Sequence, residues 1–148
     1  MIQIDRACEA DLPAIEALLV ACGLPTDGLA AHLGGALVAR AEGVVVGSAA
    51  LELYGGEAAL LRSVAVAPAW RAAGVARQLI VAVAQLASAH GVAQLYLLTT
   101  TAEGYFPRYG FTRVAREQVP AALAQSVEFT SACPLSATVM VGAVSPLL

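Results

Sequence analysis

Val64-Ala65-Val66-Ala67-Pro68-Ala69-Trp70-Arg71-Ala72-Ala73-Gly74-Val75-Ala76 is the stretch on which the reading of this chain turns. A β-branched strand ends at Pro68, a turn of small residues follows, and a helix opens at about Val75. The first-turn amides of such a helix have no intrahelical partner and sit at its positive dipole end, which makes an anion site. Ala72, Ala73, Gly74 and Ala76 keep side chains short, so that a diphosphate can approach the main chain. An ordinary strand–turn–helix corner is the competing reading, because Gly and Ala are common throughout the chain.

Working outward, Ile2 and Ile4 alternate with Gln3 and Asp5 as in a short first strand. Asp11 can cap a helix whose apolar stripe is Leu12, Ile15, Leu18, Leu19 and Cys22, stopped by Gly23-Leu24-Pro25. Thr26 or Asp27 opens a second, short helix through Leu33, ended by Gly34-Gly35. Leu37–Arg40 and Val44–Tyr54 read as strands joined by a tight turn at Glu42-Gly43, and Gly55-Gly56 turns the chain again. The strand Leu60–Val66 is almost wholly apolar, hence central and covered on both faces. Val75, Leu79, Val83 and Leu86 form one stripe of the next helix, which Gly91 closes. Leu95–Leu98 is a further buried strand, parallel to Leu60–Val66 if that helix makes the usual crossover. A short helix over Ala102–Tyr109 and strands at Phe111–Val114 and Thr138–Val141 complete the series, and Glu117–Pro134 is the least regular segment.

At 148 residues the chain reads as a single domain, 1–148. Hydrophobic residues make up 59% and charged residues 13%, so the surface must carry apolar area, which favours a homodimer through the C-terminal strand region. Mean hydropathy is +0.74, yet the most apolar segment, Leu79–Leu86, is bounded by Gln78 and cut by Gln85, and no membrane partner is expected. No basic region followed by an apolar run opens the chain, so no signal peptide is expected. A net charge of −3 without Lys/Arg clusters argues against nucleic acid. Cys8, Cys22 and Cys133 lack metal or disulfide spacing, which fits a reducing cytoplasm and no metal. His32 and His90 are isolated.

Arg71-x-x-Gly74-x-Ala76 resembles the acyl-CoA signature, (Gln/Arg)-x-x-Gly-x-(Gly/Ala), of the GNAT superfamily of N-acetyltransferases, and the Val-x-Val-x-Pro strand end before it matches too. The element order matches over most of the chain, from Ile2 to about Val141. The resemblance implies an α/β fold with a mixed, mostly antiparallel sheet of six to seven strands. About four helices flank it, and its central parallel strand pair is splayed. It implies acetyl-CoA as co-substrate, held by Val64, Ala65, Val66, Arg71, Ala72, Ala73, Gly74, Val75 and Ala76, with Thr99 and Phe106 as further contacts. Gly110-Phe111 matches the Gly-Phe pair that ends the second helix of the family pattern, but Phe106 stands where many members carry a Tyr that protonates the leaving thiolate. Tyr105 flanks that place and is the substitute acid, although residues adjacent on a helix point about 100° apart. Tyr105, Phe106 and Tyr109 can equally form a core-facing aromatic cluster.

The implied chemistry is direct attack by a neutral amine on the acetyl carbonyl while a strand amide near Val66 polarises the oxygen. Glu52, an acid in an otherwise apolar strand, is the candidate base, against a solvated edge position. Arg62 is a charge in a strand that reads as buried. It either pairs with Glu52 or Glu57 or holds an acceptor carboxylate. Leu60-Leu-Arg-Ser-Val-Ala-Val66, Leu95-Tyr-Leu-Leu-Thr-Thr-Thr-Ala-Glu103 and Phe129-x-x-x-Cys133-Pro134-x-Ser136-Ala137 are together similar to a bacterial subgroup of arsenic-resistance N-acetyltransferases. That narrower resemblance implies a small amino-acid-like or arsenical amine as acceptor. Acetylation of a protein, at its N-terminus or at lysine, and a non-catalytic acyl-CoA sensor are the alternatives.

Overall fold

The computed structural model describes every residue from Met1 to Leu148. Strand β1 (Ile2–Arg6) pairs antiparallel with β2 (Ala36–Ala41), and the chain turns at Glu42-Gly43 into β3 (Val44–Leu53). Both turn residues have positive φ, 50° and 80°, as a two-residue loop needs if it is to follow the twist of its strands. β4 (Ala58–Val66) adds antiparallel to β3, and helix α2 (Val75–Ala89) then crosses back to deliver β5 (Gln94–Thr99) parallel to β4. β6 (Thr112–Arg113) and β7 (Thr138–Ala143) finish a seven-stranded sheet of order β1-β2-β3-β4-β5-β7-β6, in which β4–β5 is the only parallel pair.

Two layers cover the sheet. On one face Val75, Leu79, Ile80, Val83 and Ala87 of α2 meet Leu37, Leu51, Leu61, Leu95 and Met140. The other face is divided. Ile15 and Leu19 of α1 (Leu12–Ala21) cover Val38, Ala50 and Ala65, while Leu123 of α3 (Ala121–Ala124) and Phe129 cover Leu60, Tyr96 and Val139. Arg62 and Glu52 lie on this divided face. Side chains alternate along a strand, so Leu60 and Arg62 share a face, as do Ala50 and Glu52.

The expected second helix and the helix over Ala102–Tyr109 are 3-10 turns, Ala30–Gly35 and Phe106–Tyr109. Gly28 at φ +77° and His32 at φ −113° interrupt the first. In the second, Pro107 has no amide to give, so a longer helix cannot run through it. β6 is two residues rather than four. The C-terminal strand β7 has β5 on one side and β6 on the other, so it offers no free edge to a second copy. No helix is long and apolar enough to cross a membrane.

Asp11 does not cap α1 with its side chain. It accepts from the Cys8 amide at 2.9 Å and takes both terminal nitrogens of Arg40, at 2.8 and 2.9 Å, bracing β2 against the start of α1. Those hydrogen bonds, the Arg40 pair first, hold its carboxyl well below its ordinary 3.8. A depressed carboxyl stabilises the fold above its unfolded value and loses that contribution as pH falls toward the folded value. Asp11→Asn is therefore expected to be less stable than the unaltered protein at neutral pH. The gap should close below about pH 4, as urea titrations across pH would register.

Candidate active site

β4 and β5 pair over only three residues, the last being Leu60 with Tyr96. Beyond that point the strands diverge, and the cause is in β4. Its register against β3 slips by one between Ala50↔Arg62 and Ser48↔Ala65, and Ser63 takes a positive φ of 58°. This is a β-bulge, which bends its strand and unpairs the ladder. Ser48 fixes it by donating its hydroxyl to the Ser63 carbonyl at 2.8 Å. After the bulge the facing of side chains inverts, so that Ala65 joins the α1 side and Val66 the α2 side.

The gap opens into a cavity of about 690 Å³. At one end lie Gly74, Val75, Ala76 and Arg77 of the α2 N-terminus. Gly74 is the N-cap at φ +80°, and it brings no side chain to the helix end. The first intrahelical bond is Gln78 N–H to the Gly74 carbonyl, so the amides of Val75, Ala76 and Arg77 have no partner within the helix. Arg77 and Arg108 add positive charge to the lining. Midway, Val66 faces Gly47 as a non-hydrogen-bonded pair, because Ala67 N–H goes to the Val46 carbonyl at 2.8 Å. The amide of Val66 therefore points away from β3, into the gap.

Val64, Ala65, Val66, Arg71, Ala72, Gly74, Val75, Ala76, Thr99, Phe106, Tyr105 and Arg62 all line this one cavity. Ala73 does not; it is exposed outside the lining. Arg71 bends back on the protein, with Nε 3.1 Å from the Val66 carbonyl and Nη2 3.5 Å from Cys22 Sγ. Those two contacts tie the turn to the strand end. Thr99 spends an oxygen lone pair on the Ala102 amide at 2.9 Å, closing the turn after β5. Tyr105 and Tyr109 join their hydroxyls at 2.6 Å, and Arg108 lies 4.2 Å over the Tyr105 ring. Burial, with the Tyr105 hydroxyl, pushes the Tyr109 phenol far above its ordinary value. Tyr105, Phe106 and Tyr109 thus form an aromatic cluster on the cavity wall.

Glu52 is not a base available to the cavity. It is absent from the lining and fully buried. Arg62 Nη1 lies 2.8 Å away, the Tyr54 hydroxyl 2.5 Å and His32 Nε2 3.7 Å. Burial works to raise its carboxyl, but hydrogen bonds from Ser126, Tyr54 and Arg62 outweigh this and hold it below its ordinary value. A carboxylate fixed as an anion by several donors is a poor proton acceptor. Arg62 is buried and pairs with Glu52; its Nε goes to Ser63 Oγ at 3.1 Å and its Nη2 lies 3.4 Å from the Pro25 carbonyl. These contacts match the structural pairing with Glu52 rather than a free clamp for an acceptor carboxylate.

Sequence reasoning passed over Glu128. It lies in the π turn Glu128–Ala132 after α3, lines the cavity, and places Oε2 3.4 Å from Arg62 Nε. The signal was present in the sequence as an acid between Val127 and Phe129, inside the segment read as irregular. Cys133 and Cys22 also line the cavity. Burial first, then the neighbouring Glu128, pushes the Cys133 thiol up to about 11, so it remains protonated and behaves as a small apolar group.

A bulged strand splayed from its parallel neighbour, with an unpaired helix N-terminus at the mouth of the gap, defines the class of α/β domain to which this chain belongs. The profile of the family described as acetyltransferase (GNAT) domain matches residues 32–113, and the chain belongs to that family. An uncharacterised N-acetyltransferase of Chlorobaculum tepidum is 32% identical over 89 residues, 60% of this chain and 57% of that protein. N-acetylglutamate synthase from Neisseria gonorrhoeae, solved with coenzyme A and N-acetyl-glutamate, superposes with a TM-score of 0.83 at 20% identity. That match covers 97% of this chain but 35% of the synthase. Rv2747 from Mycobacterium tuberculosis, solved with CoA, gives a TM-score of 0.79 at 24% identity, covering 95% of this chain and 98% of that one. At these identities the two structures speak for the fold.

Proposed function

We propose that this protein transfers the acetyl group of acetyl-CoA to the primary amine of a small, amino-acid-like molecule by direct attack, without a covalent enzyme intermediate. The observation that carries the reading is the continuity of the cavity, from the unpaired amides of α2 past the inward amide of Val66 to Arg62 and Glu128. The α2 amides with Arg77 suit the diphosphate, and the strand edge exposed by the splay suits the pantetheine arm. The Val66 amide is placed to polarise the thioester carbonyl. Tyr105 supplies the thiolate's proton: with Tyr109 retaining its own and donating to Tyr105, the Tyr105 O–H is free to turn into the cavity.

Small acceptors are favoured over peptides because the acceptor end is walled. Gly23–Pro25 after α1 and Ala132–Pro134 at the end of the π turn line this end of the cavity with Arg62, and the Pro25 carbonyl lies 3.4 Å from Arg62 Nη2. The Neisseria synthase, which was solved with an acetylated amino acid, agrees with that scale of acceptor. Acetylated arsenical and phosphinic amino-acid analogues are the finer form of the same reading, with the protein working in the bacterial cytoplasm.

The test is free-thiol release from acetyl-CoA against amino acids, their arsenical and phosphinic analogues, polyamines and basic peptides, with calorimetric acetyl-CoA binding beside it. Turnover of an α-amino compound is expected. Tight binding with no turnover on any of them would make the protein a sensor. Gly74→Val should weaken acetyl-CoA binding about tenfold, since a side chain at left-handed φ costs about 1–2 kcal/mol and deforms the amide cluster. A Cβ at Gly74 meets nothing within 4 Å, so the effect is a backbone one, and unchanged affinity would move the diphosphate elsewhere.

A further inference from the structure

Glu128 is the one carboxylate among the residues that line the cavity. It is 4% exposed, and no hydrogen bond holds its carboxylate, because Arg62 Nε, 3.4 Å away, gives its proton to Ser63 Oγ. Its only side-chain neighbour of opposite charge is thus already engaged. No fully enclosed side-chain oxygen or nitrogen in the molecule lacks a partner, so the unbonded Glu128 oxygens open on the cavity rather than on packed protein. The carboxylate stands one side chain from the bulge residue Ser63, where β4 and β5 part.

Resting on the acetyl-transfer reading, we propose that Glu128 is the general base of this site, accepting the proton of the acceptor's ammonium group and so selecting acceptors that arrive as cations. In the step, the ammonium N–H bond breaks and its proton bonds a Glu128 oxygen, leaving a neutral amine and a neutral carboxyl. The amine lone pair then forms the bond to the acetyl carbon. The carbon–sulfur bond breaks with its electron pair on sulfur, and the second amine proton is lost as the thiolate is protonated. Glu128 returns its proton to solvent, so the products are amide, thiol and one proton.

The two carboxyl groups that flank Arg62 are pushed in opposite directions. Glu52 is locked as an anion by its donors. Around Glu128 stand Arg62 of β4, Glu52 of β3 and Asp27 of the segment before β2. Burial is the main cause that pushes its carboxyl up to about 7; Arg62 opposes, while Glu52 and Asp27 add to the rise. Carboxylates driven apart in this way take separate roles at one pH.

The experiment is kcat/KM against pH with a weakly and a strongly basic amine that the protein turns over. In the unaltered protein the acid limb should lie near pH 7 for both, rising with pH as Glu128 ionises. A limb that follows each amine's own acidity overturns the proposal. Glu128→Gln should lower kcat/KM at pH 7 about 10²–10³-fold, move the limb to each amine's own value, and leave calorimetric acetyl-CoA binding intact. An active Glu128→Gln with an unshifted profile also overturns it. Absence of turnover by the unaltered protein on the whole panel overturns the acetyl-transfer reading and this proposal with it.

Discussion

Arg62→Met is expected to remove about 3–5 kcal/mol of folding stability, the usual cost of breaking a buried ion pair from one side. Met approximates the length of the side chain but leaves Glu52 with one fewer donor and Glu128 without its only neighbouring cation, both in the interior. Each carboxyl then titrates higher than it does in the unaltered fold. An acid with a raised folded value destabilises the fold as pH climbs through it, so the deficit should be larger at pH 8 than at pH 5.5. Urea denaturation at the two values decides this. A deficit that does not depend on pH would mean that lost packing, not lost charge, is the cause. The same variant separates the two readings of Arg62. If the guanidinium only organises Glu52 and Glu128, the acceptor KM and the acid limb of kcat/KM should shift together, because Glu128 loses the cation that now lowers its carboxyl.

The second large effect is Phe111→Ala, expected to cost about 3–5 kcal/mol. Phe111 is 1% exposed, lies edge-on to Phe106 with centroids 5.7 Å apart, and packs so tightly on β7 that a Cβ at Gly142 would come within 3.0 Å of its ring. Truncation leaves a hole between the sheet and the segment that presents Tyr105, Phe106 and Tyr109 to the cavity. Little in the surroundings can collapse to fill it, since Gly142 has no side chain and Met140 and Leu95 are already buried. Thermal or denaturant unfolding measures the loss. Acetyl-CoA affinity should also fall in the fraction that remains folded, because Phe106 loses its backing. An affinity equal to that of the unaltered protein would show that the aromatic wall stands without Phe111.

Much of this could be read from residues alone, and the reasons are local. The Glu42-Gly43 hairpin follows from turn chemistry, α2 from the spacing of Val75, Leu79 and Val83, and its glycine N-cap from Gly74. The parallel placement of β5 follows from the handed crossover that a strand–helix–strand unit imposes. The apolar run Leu60–Val66 announced a strand covered on both faces. Ala30–Gly35 and Phe106–Tyr109 form 3-10 turns instead of helices because propensity over six to eight residues does not outweigh one Gly or Pro.

Glu52 and Glu128 mark where local reasoning stopped. Both are lone acids among apolar neighbours in the sequence, and nothing within a window of ten residues tells them apart. What separates them is distance in the folded molecule: which donors reach each carboxylate, and which one faces the cavity. Tyr54, His32, Ser126 and Arg62 surround the first, whereas the second meets only an Arg62 nitrogen already bonded to Ser63. Strand, turn and helix were determined by the sequence itself, because backbone sterics and hydrophobic period act between near neighbours. The bulge at Ser63, the splay it opens and the ionisation of the two acids were decided by tertiary structure, because desolvation and charge depend on groups brought together from β3, β4 and the π turn.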